Sequence, residues 1–133
     1  MEMSIPEKLQ TYIKAELGDA ALYRELAKVA PTDVFKNLFL EFAYDEQSHA
    51  DEFKKIYRTM TGKSFEPKIE PAVLDGSFRD ILKDRILDES GDFRKYGEQY
   101  IQTHQNMDLK RAYYRARTDE NVHALRLLYM LMP

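Results

Sequence analysis

Residues 44–50 read YDEQSHA and residues 118–124 read TDENVHA, so the pattern D-E-x-x-H-A occurs twice in this chain. In each copy the glutamate precedes the histidine by three positions. Positions i and i+3 lie on one face of a helix, so each copy directs a carboxylate and an imidazole to the same side. The chain has only three histidines. Two of them belong to this repeat, which therefore requires a common explanation.

An isolated Glu-x-x-His pair on a helix is usually a solvated surface pair, but here apolar residues surround both copies. Steps of three and four separate these residues, and this spacing places them along one helix face as a packed seam. The carboxylate and the imidazole of each copy therefore stand among residues that we expect to be buried. The first seam comprises Phe35, Phe39, Phe42, Glu46, His49, Phe53, Ile56 and Met60. The second comprises Leu109, Tyr113, Ala116, Glu120, His123, Leu127 and Met130.

Each D-E-x-x-H-A motif follows an earlier helical stretch that is also duplicated. Residues 16–23 and residues 89–96 both match E-x-G-D-x-x-x-Y. The glutamate that opens this earlier motif precedes the glutamate of the later one by 30 positions in the first half and by 31 in the second. The chain therefore consists of two predicted helix hairpins of the same design, each supplying a glutamate and then a Glu-x-x-His pair.

Helix-boundary signals agree with this division. We predict hairpin 1 at about residues 4–60, a crossover with two prolines and two glycines at 61–76, and hairpin 2 at about 77–132. An extended crossover of this length reaches roughly 50 Å, enough to span a helix or to exchange a hairpin with a second chain. The predicted fold is all-α, a single domain of residues 1–133 that forms an antiparallel four-helix bundle. Candidate helix caps stand at Ser4 and at Thr32 or Asp33. The third helix is expected to start near Ser77 and the fourth at Asn106 or Asp108.

The composition excludes several functional classes. The net charge is −3 at pH 7, which provides no positive surface for nucleic acid or an anionic membrane. The chain has no cysteine, so disulfides, cysteine-ligated zinc and iron–sulfur clusters are excluded. The N-terminal residues lack an apolar targeting segment, and no apolar run is long enough to span a bilayer. We therefore expect a cytoplasmic protein.

Four glutamates and two histidines on inward-facing positions need a positive partner, because burying an unpaired carboxylate is costly. No lysine or arginine occupies a regular seam position beside them, although Arg85 lies close to the stripe of the third helix. That stripe comprises Phe78, Leu82, Ile86, Glu89, Phe93, Tyr96 and Tyr100. The stripe of the first helix comprises Leu9, Tyr12 or Ile13, Glu16, Ala20, Tyr23 and Ala27. Two divalent cations would neutralise the four carboxylates, and the two imidazoles would complete the sites. Carboxylate oxygen with imidazole nitrogen suits iron or manganese, and also zinc.

This set of residues resembles the ligand set of the ferritin-like di-iron carboxylate superfamily, in which a glutamate from each of two helices joins a Glu-x-x-His pair from each of the other two. The resemblance covers nearly the whole chain and implies a ferritin-like fold that binds two iron ions, with manganese or zinc possible. It also implies that Glu46 and Glu120 bridge the metals, while Glu16 and Glu89 each bind one. The six implied ligands are Glu16, Glu46, His49, Glu89, Glu120 and His123.

Within that superfamily, the sequence most resembles the rubrerythrin-like group. The resemblance rests on the compact hairpin repeat, the D-E-x-x-H-A form, and Tyr23 and Tyr96, each seven residues after the first glutamate of its half. The group reduces hydrogen peroxide, which implies a role in oxidative stress. It carries an additional carboxylate ligand three residues after the third-helix glutamate. Here that position is Asp92, one methylene shorter than the family's glutamate, and Asp19 is its counterpart on the first helix.

Four further residues are candidates for supporting the ligands. We expect Asp45 and Asp119, each beside the glutamate of its motif, to hydrogen-bond the ligand histidine of the opposite hairpin and so fix its tautomer. Tyr23 and Tyr96 could hydrogen-bond the terminal glutamates or pass electrons. They could equally be core residues with no further role, since a buried tyrosine finds a hydrogen-bond partner in any fold.

The resemblance favours a di-iron oxidoreductase that reduces hydrogen peroxide. Complete rubrerythrins carry a four-cysteine rubredoxin module, which this cysteine-free sequence lacks, so electrons would come from an external donor such as a rubredoxin-like protein. One alternative is a ferroxidase that oxidises Fe(II) with dioxygen. The other is a non-catalytic metal-binding or metal-storing bundle. We expect a homodimer, and no nucleic acid or membrane partner.

Overall fold

The computed structural model describes residues 2–133 and contains four α-helices, with no β-strand among these residues. The helices are α1 (Ile5–Lys28), α2 (Asp33–Thr61), α3 (Phe78–Gln102) and α4 (Met107–Leu131). α1 packs against α2 to form hairpin 1, and α3 packs against α4 to form hairpin 2. The compact unit that contains hairpin 1 ends at Val73, and the other unit is Leu74–Pro133. The single domain expected from the chain length stays a prediction.

Side-chain caps define the first residue of each helix, as the sequence predicted. The Ser4 hydroxyl accepts a hydrogen bond from the Glu7 backbone N–H, and the Glu7 carboxylate accepts one from the Ser4 backbone N–H. Thr32, Ser77 and Asn106 each accept a hydrogen bond from the backbone N–H three residues later. These contacts satisfy backbone donors that have no partner within the first helical turn.

The crossover begins at a glycine and first follows hairpin 1. Gly62 has a φ of 73°, in the left-handed region that favours glycine, and it caps α2 through a backbone hydrogen bond. The ring of Phe65 lies 5.7 Å from that of Tyr57, and Glu66 forms an ion pair of 2.9 Å with Lys54. No helix or strand follows until α3, and the role of this segment as a crossover stays a prediction.

The buried faces of α1, α2 and α4 follow the predicted seams, and α3 differs. At the ends of the α2 seam, Phe35 is half-buried and Met60 is exposed. In α3, the predicted core residue Ile86 is only half-buried, whereas Arg85 is buried. Arg85 lies three positions after the buried Leu82 and therefore on the same helix face. The core stripe of α3 thus contains a cation where an aliphatic residue was expected.

All four helices are amphipathic and carry many charged side chains on their exposed faces. They have 24, 29, 25 and 25 residues in chain order, and each has a buried face that contains apolar residues. Among the described residues, no helix is both long enough and apolar enough to cross a membrane.

Candidate functional site

Hairpin 1 brings three of the predicted ligands together at buried positions. Glu16 from α1 and Glu46 and His49 from α2 are each at most 4% exposed. The Nδ1 atom of His49 lies 3.1 Å from Glu16 Oε1 and 3.5 Å from Glu46 Oε1. Each of the three residues offers a potential ligand atom within 4.8 Å of those of the other two. We call these residues the first triad.

Hairpin 2 brings the other three predicted ligands together in the same way. Glu89 from α3 and Glu120 and His123 from α4 are fully buried. The Nδ1 atom of His123 lies 3.5 Å from Glu120 Oε1 and 3.6 Å from Glu89 Oε2. Their potential ligand atoms also lie within 4.8 Å of one another. We call these residues the second triad.

The local helix geometry explains why these side chains meet. Glu and His stand three positions apart in uninterrupted helices, so their side chains lie one above the other on one face. The neighbouring helix of the same hairpin contributes the remaining glutamate. In α2 the seam residues on either side, Phe42 and Phe53, are fully buried. Buried apolar residues therefore flank the triad along α2.

The donor set of each triad fits a divalent metal ion. Two carboxylates and a neutral imidazole carry a charge of about −2, and burying that charge without a cation is strongly unfavourable. Carboxylate oxygen and imidazole nitrogen are suitable ligands for iron, manganese and zinc. The residues present therefore fit the metal that the sequence predicts. The bridging roles expected of Glu46 and Glu120 stay predictions.

The second triad has a buried cation beside it. Arg85 is 6% exposed, and its Nη2 donates a hydrogen bond of 3.2 Å to Glu89 Oε1. Its Nη1 donates one of 3.1 Å to Asp88 Oδ2. Burial raises the pKa of Glu89, but the facing His123 imidazole and the Arg85 guanidinium lower it more, from an ordinary 4.5 to about 2. Glu89 is therefore ionised in spite of its burial.

The predicted additional ligand, Asp92, lies close to the second triad. It offers a carboxylate oxygen within 4.8 Å of one from Glu120, and its Oδ1 also lies 3.1 Å from Lys95 Nζ. Its role as a ligand stays a prediction, as do the roles of the three other candidate aspartates. Those aspartates, all half-buried, are Asp19, Asp45 and Asp119.

The two candidate tyrosines are both buried, in different surroundings. The ring of Tyr23 lies 6.2 Å from Phe39 and 5.3 Å from Phe42. The ring of Tyr96 stacks on Tyr113 at 6.1 Å. Both tyrosines are at most 1% exposed, so neither hydroxyl group is directed into bulk solvent. Their proposed contact with the terminal glutamates and their part in electron transfer stay predictions.

Known proteins with similar sequences support the interpretation of hairpin 1 directly. The sequence model of the rubrerythrin family matches residues 7–75, a segment that contains the whole first triad. An uncharacterized protein of Bacillus subtilis, YhjR, is 33% identical over 124 residues, which cover 93% of this chain and 84% of that protein. The similarity to YhjR therefore extends through both hairpins.

A solved structure shows the same fold. A hypothetical protein from Pyrococcus furiosus superimposes with a TM-score of 0.80 at 22% identity, over 97% of this chain and 89% of that one. The predicted ferritin-like four-helix fold is thereby confirmed. Together with the matches over residues 7–75 and over 93% of the chain, these comparisons establish the relationship: the chain belongs to the rubrerythrin family.

Proposed function

We propose that this chain is a di-iron oxidoreductase that reduces hydrogen peroxide to water with electrons from an external donor. The observation that carries the proposal is the repeated triad, two buried glutamates and one buried histidine in each hairpin, with potential ligand atoms within 4.8 Å of one another. Membership of the rubrerythrin family supports iron as the metal and peroxide as the oxidant.

In this proposal each triad holds one iron ion. The two carboxylates of a triad balance the charge of a divalent ion, which removes the cost of burying them. When bound, the two ferrous ions would supply the electrons of the net reaction H2O2 + 2 e⁻ + 2 H⁺ → 2 H2O. A one-electron carrier, such as a rubredoxin-like protein, would return those electrons in two successive transfers.

The residues of the chain contribute ligand orientation and exclusion of water. In both triads Nδ1 is the histidine nitrogen that faces the carboxylates, so we propose that Nδ1 binds the metal. The other ring nitrogen, Nε2, is then available for a hydrogen bond that fixes the tautomer. The fully buried aromatic residues of α2 keep bulk water away from the first triad and so strengthen its electrostatic interactions.

The proposal is tested by loading the protein anaerobically with Fe(II) and mixing it, in a stopped-flow instrument, with hydrogen peroxide or with dioxygen. We expect two irons per chain and much faster oxidation by peroxide. Glu46→Gln removes a buried carboxylate and should lower both the iron content and the rate. Glu41→Gln, an exposed position on the same helix, makes the same chemical change and should alter neither.

The other outcomes separate the alternatives. Faster oxidation by dioxygen would make the protein a ferroxidase. No oxidation of fully loaded protein by either oxidant would leave a non-catalytic metal-binding role. In that case Zn(II) should still stabilise the protein, by about 2.7 kcal/mol at a free concentration one hundred times its Kd, and thermal unfolding with and without the ion measures this effect.

The proposal includes a cellular compartment and an oligomeric state. We place the reaction in the cytoplasm, where reduced electron carriers are available, and we propose that the protein functions as a homodimer. Sedimentation equilibrium of the iron-loaded protein measures the assembly directly. A monomer at concentrations well above those in cells would remove the homodimer from the proposal and leave the chemistry unchanged.

A further inference from the structure

The two hairpins differ in charge at a position beside their triads. An offset of 73 residues aligns Glu16 with Glu89, and the same offset aligns Tyr12 with Arg85. The residue one helical turn before the first glutamate is therefore a tyrosine in hairpin 1 and an arginine in hairpin 2. Both are equally buried, at 6% exposed. Only the arginine brings a positive charge to this position.

We infer that Arg85 pairs with Glu89 in the metal-free protein and thereby lowers the affinity of the second triad for a divalent cation. The first triad, which has a tyrosine at the matching position, then binds the first cation. This inference rests on the proposed function, because it concerns the order in which the two proposed metal sites are filled.

The charges of the two hairpins support this order. The first triad contributes two carboxylates, a charge of about −2 with a neutral histidine. The second triad with Arg85 has a charge of about −1, because the guanidinium is always protonated. A dication in the second triad would also lie close to that guanidinium. Even with the screening of a partly polar interior, a repulsion at that range corresponds to at least about a tenfold difference in affinity.

The hydrogen bonds around Arg85 hold the guanidinium in place. Arg85 donates through Nη2 to Glu89 Oε1 and through Nη1 to Asp88 Oδ2. The first bond uses an oxygen that a metal would otherwise take, while Glu89 Oε2 lies 3.6 Å from His123 Nδ1. A cation must therefore bind Glu89 through Oε2 alone, share Oε1 with the guanidinium, or break the Arg85 pair. Each of these routes weakens binding at the second triad relative to the first.

The test is a titration of metal-free protein with Co(II) under anaerobic conditions. Isothermal titration calorimetry and the visible absorption of bound Co(II) monitor the binding. We expect two binding steps per chain whose affinities differ at least about tenfold. His49→Gln should abolish the tighter step and His123→Gln the weaker one. These two substitutions occupy equivalent positions, so each assigns one step to one hairpin.

Variants at position 85 then test the cause of the difference. Arg85→Gln and Arg85→Met remove the charge and should tighten the weaker step at least about tenfold, while Arg85→Lys should leave it unchanged. Lys83→Gln is the matched control, because it removes one positive charge from an exposed position of the same helix. The melting temperature of the metal-free protein should fall in the Gln and Met variants at position 85 and in neither of the other two.

Three results would overturn the inference. The first is two steps of equal affinity in the wild-type protein, and the second is loss of the weaker step in His49→Gln. The third is weaker Co(II) binding in the Gln and Met variants, which would mean that Arg85 positions Glu89 for the metal. Failure of the proposed function looks different, because iron-loaded wild-type protein would then not be oxidised preferentially by peroxide, whatever the order of the two Co(II) steps. If the position-85 variants do not fold, the wild-type and histidine titrations still decide the order.

Discussion

Hairpins 1 and 2 have the same ligands but pack different residues around them. An offset of 74 residues aligns α2 with α4, and it pairs the buried Phe42 of hairpin 1 with the buried Ala116 of hairpin 2. The same offset pairs Phe39 with Tyr113 and Phe53 with Leu127. Two different cores therefore support one arrangement of two glutamates and a histidine. The arrangement must come from what the hairpins share, which is the helical spacing of the ligands.

The distances within the triads separate the influence of helical spacing from the influence of the surrounding residues. The Glu–His distance within one helix is 3.5 Å in α2 and 3.5 Å in α4. The distance from the histidine to the glutamate of the neighbouring helix is 3.1 Å in hairpin 1 and 3.6 Å in hairpin 2. Helix geometry sets the first distance in both hairpins. The second differs between them, and it involves Glu89, which also binds Arg85.

The largest effect is expected from a substitution that tests whether the buried residues of hairpin 2 can replace those of hairpin 1. Phe42→Ala gives hairpin 1 the residue of hairpin 2 and should cost about 3–5 kcal/mol of unfolding free energy, because it leaves a cavity beside the Tyr23 ring. Urea denaturation of the metal-free protein measures the loss. Phe35→Ala on the same helix is the control and should cost less, since Phe35 is half-buried. Equal losses at the two positions would contradict the cavity argument.

The next effect concerns the cation of hairpin 2. Arg85→Met leaves Glu89 buried without its guanidinium and should destabilise the metal-free protein by about 3 kcal/mol. Asp88→Asn removes the other contact of Arg85 and should cost less than about 1 kcal/mol, because the Asp88 side chain is 62% exposed. The same urea denaturation measures both. Because Arg85→Met removes both contacts, equal losses for Asp88→Asn and Arg85→Met would show that the stability lies in the surface pair.

The triads could be predicted from the sequence because each depends on local rules. A three-residue separation on a helix places Glu and His together, and the repetition of both motifs indicates which residues of the two halves correspond. The seams predicted the buried faces of α1, α2 and α4 for the same reason. At Phe35 and Met60 the α2 seam reaches the ends of the helix, where fewer neighbours cover it, and burial is lost.

The role of Arg85 could not be predicted from periodicity. Residues 85 and 86 both lie near the seam of α3, and an aliphatic residue was expected to be the buried one. The structure buries the arginine because its long side chain reaches two carboxylates, those of Asp88 and Glu89. Such a choice depends on the partners available around the side chain, which hydrophobic spacing does not encode.

A smaller effect on stability is expected from substitutions at the caps of α1 and α3. The offset of 73 also pairs Ser4 with Ser77, and both serines cap their helices, but the Ser4 hydroxyl also donates a hydrogen bond of 2.9 Å to Glu7 Oε1. Either serine-to-alanine substitution should cost about 1 kcal/mol, with the larger loss at Ser4. Ser48→Ala, at an exposed position inside α2, is the control for helix propensity and should not destabilise. A loss at Ser77 as large as the loss at Ser4 would mean that the hydrogen bond from the Ser4 hydroxyl to Glu7 contributes nothing to stability.

The smallest effect is expected where the two hairpins agree most closely. Gly18 and Gly91 occupy matching positions inside α1 and α3, and a Cβ atom added at either would meet no other atom within 4 Å. Each glycine-to-alanine substitution should therefore stabilise the metal-free protein by about 0.5–1 kcal/mol, since alanine restricts the unfolded chain and favours helix. Gly62→Ala should do the opposite, because its φ of 73° strains an alanine. If only one of the two helical substitutions stabilised the protein, the hairpins would differ in backbone as well as in charge beside their triads.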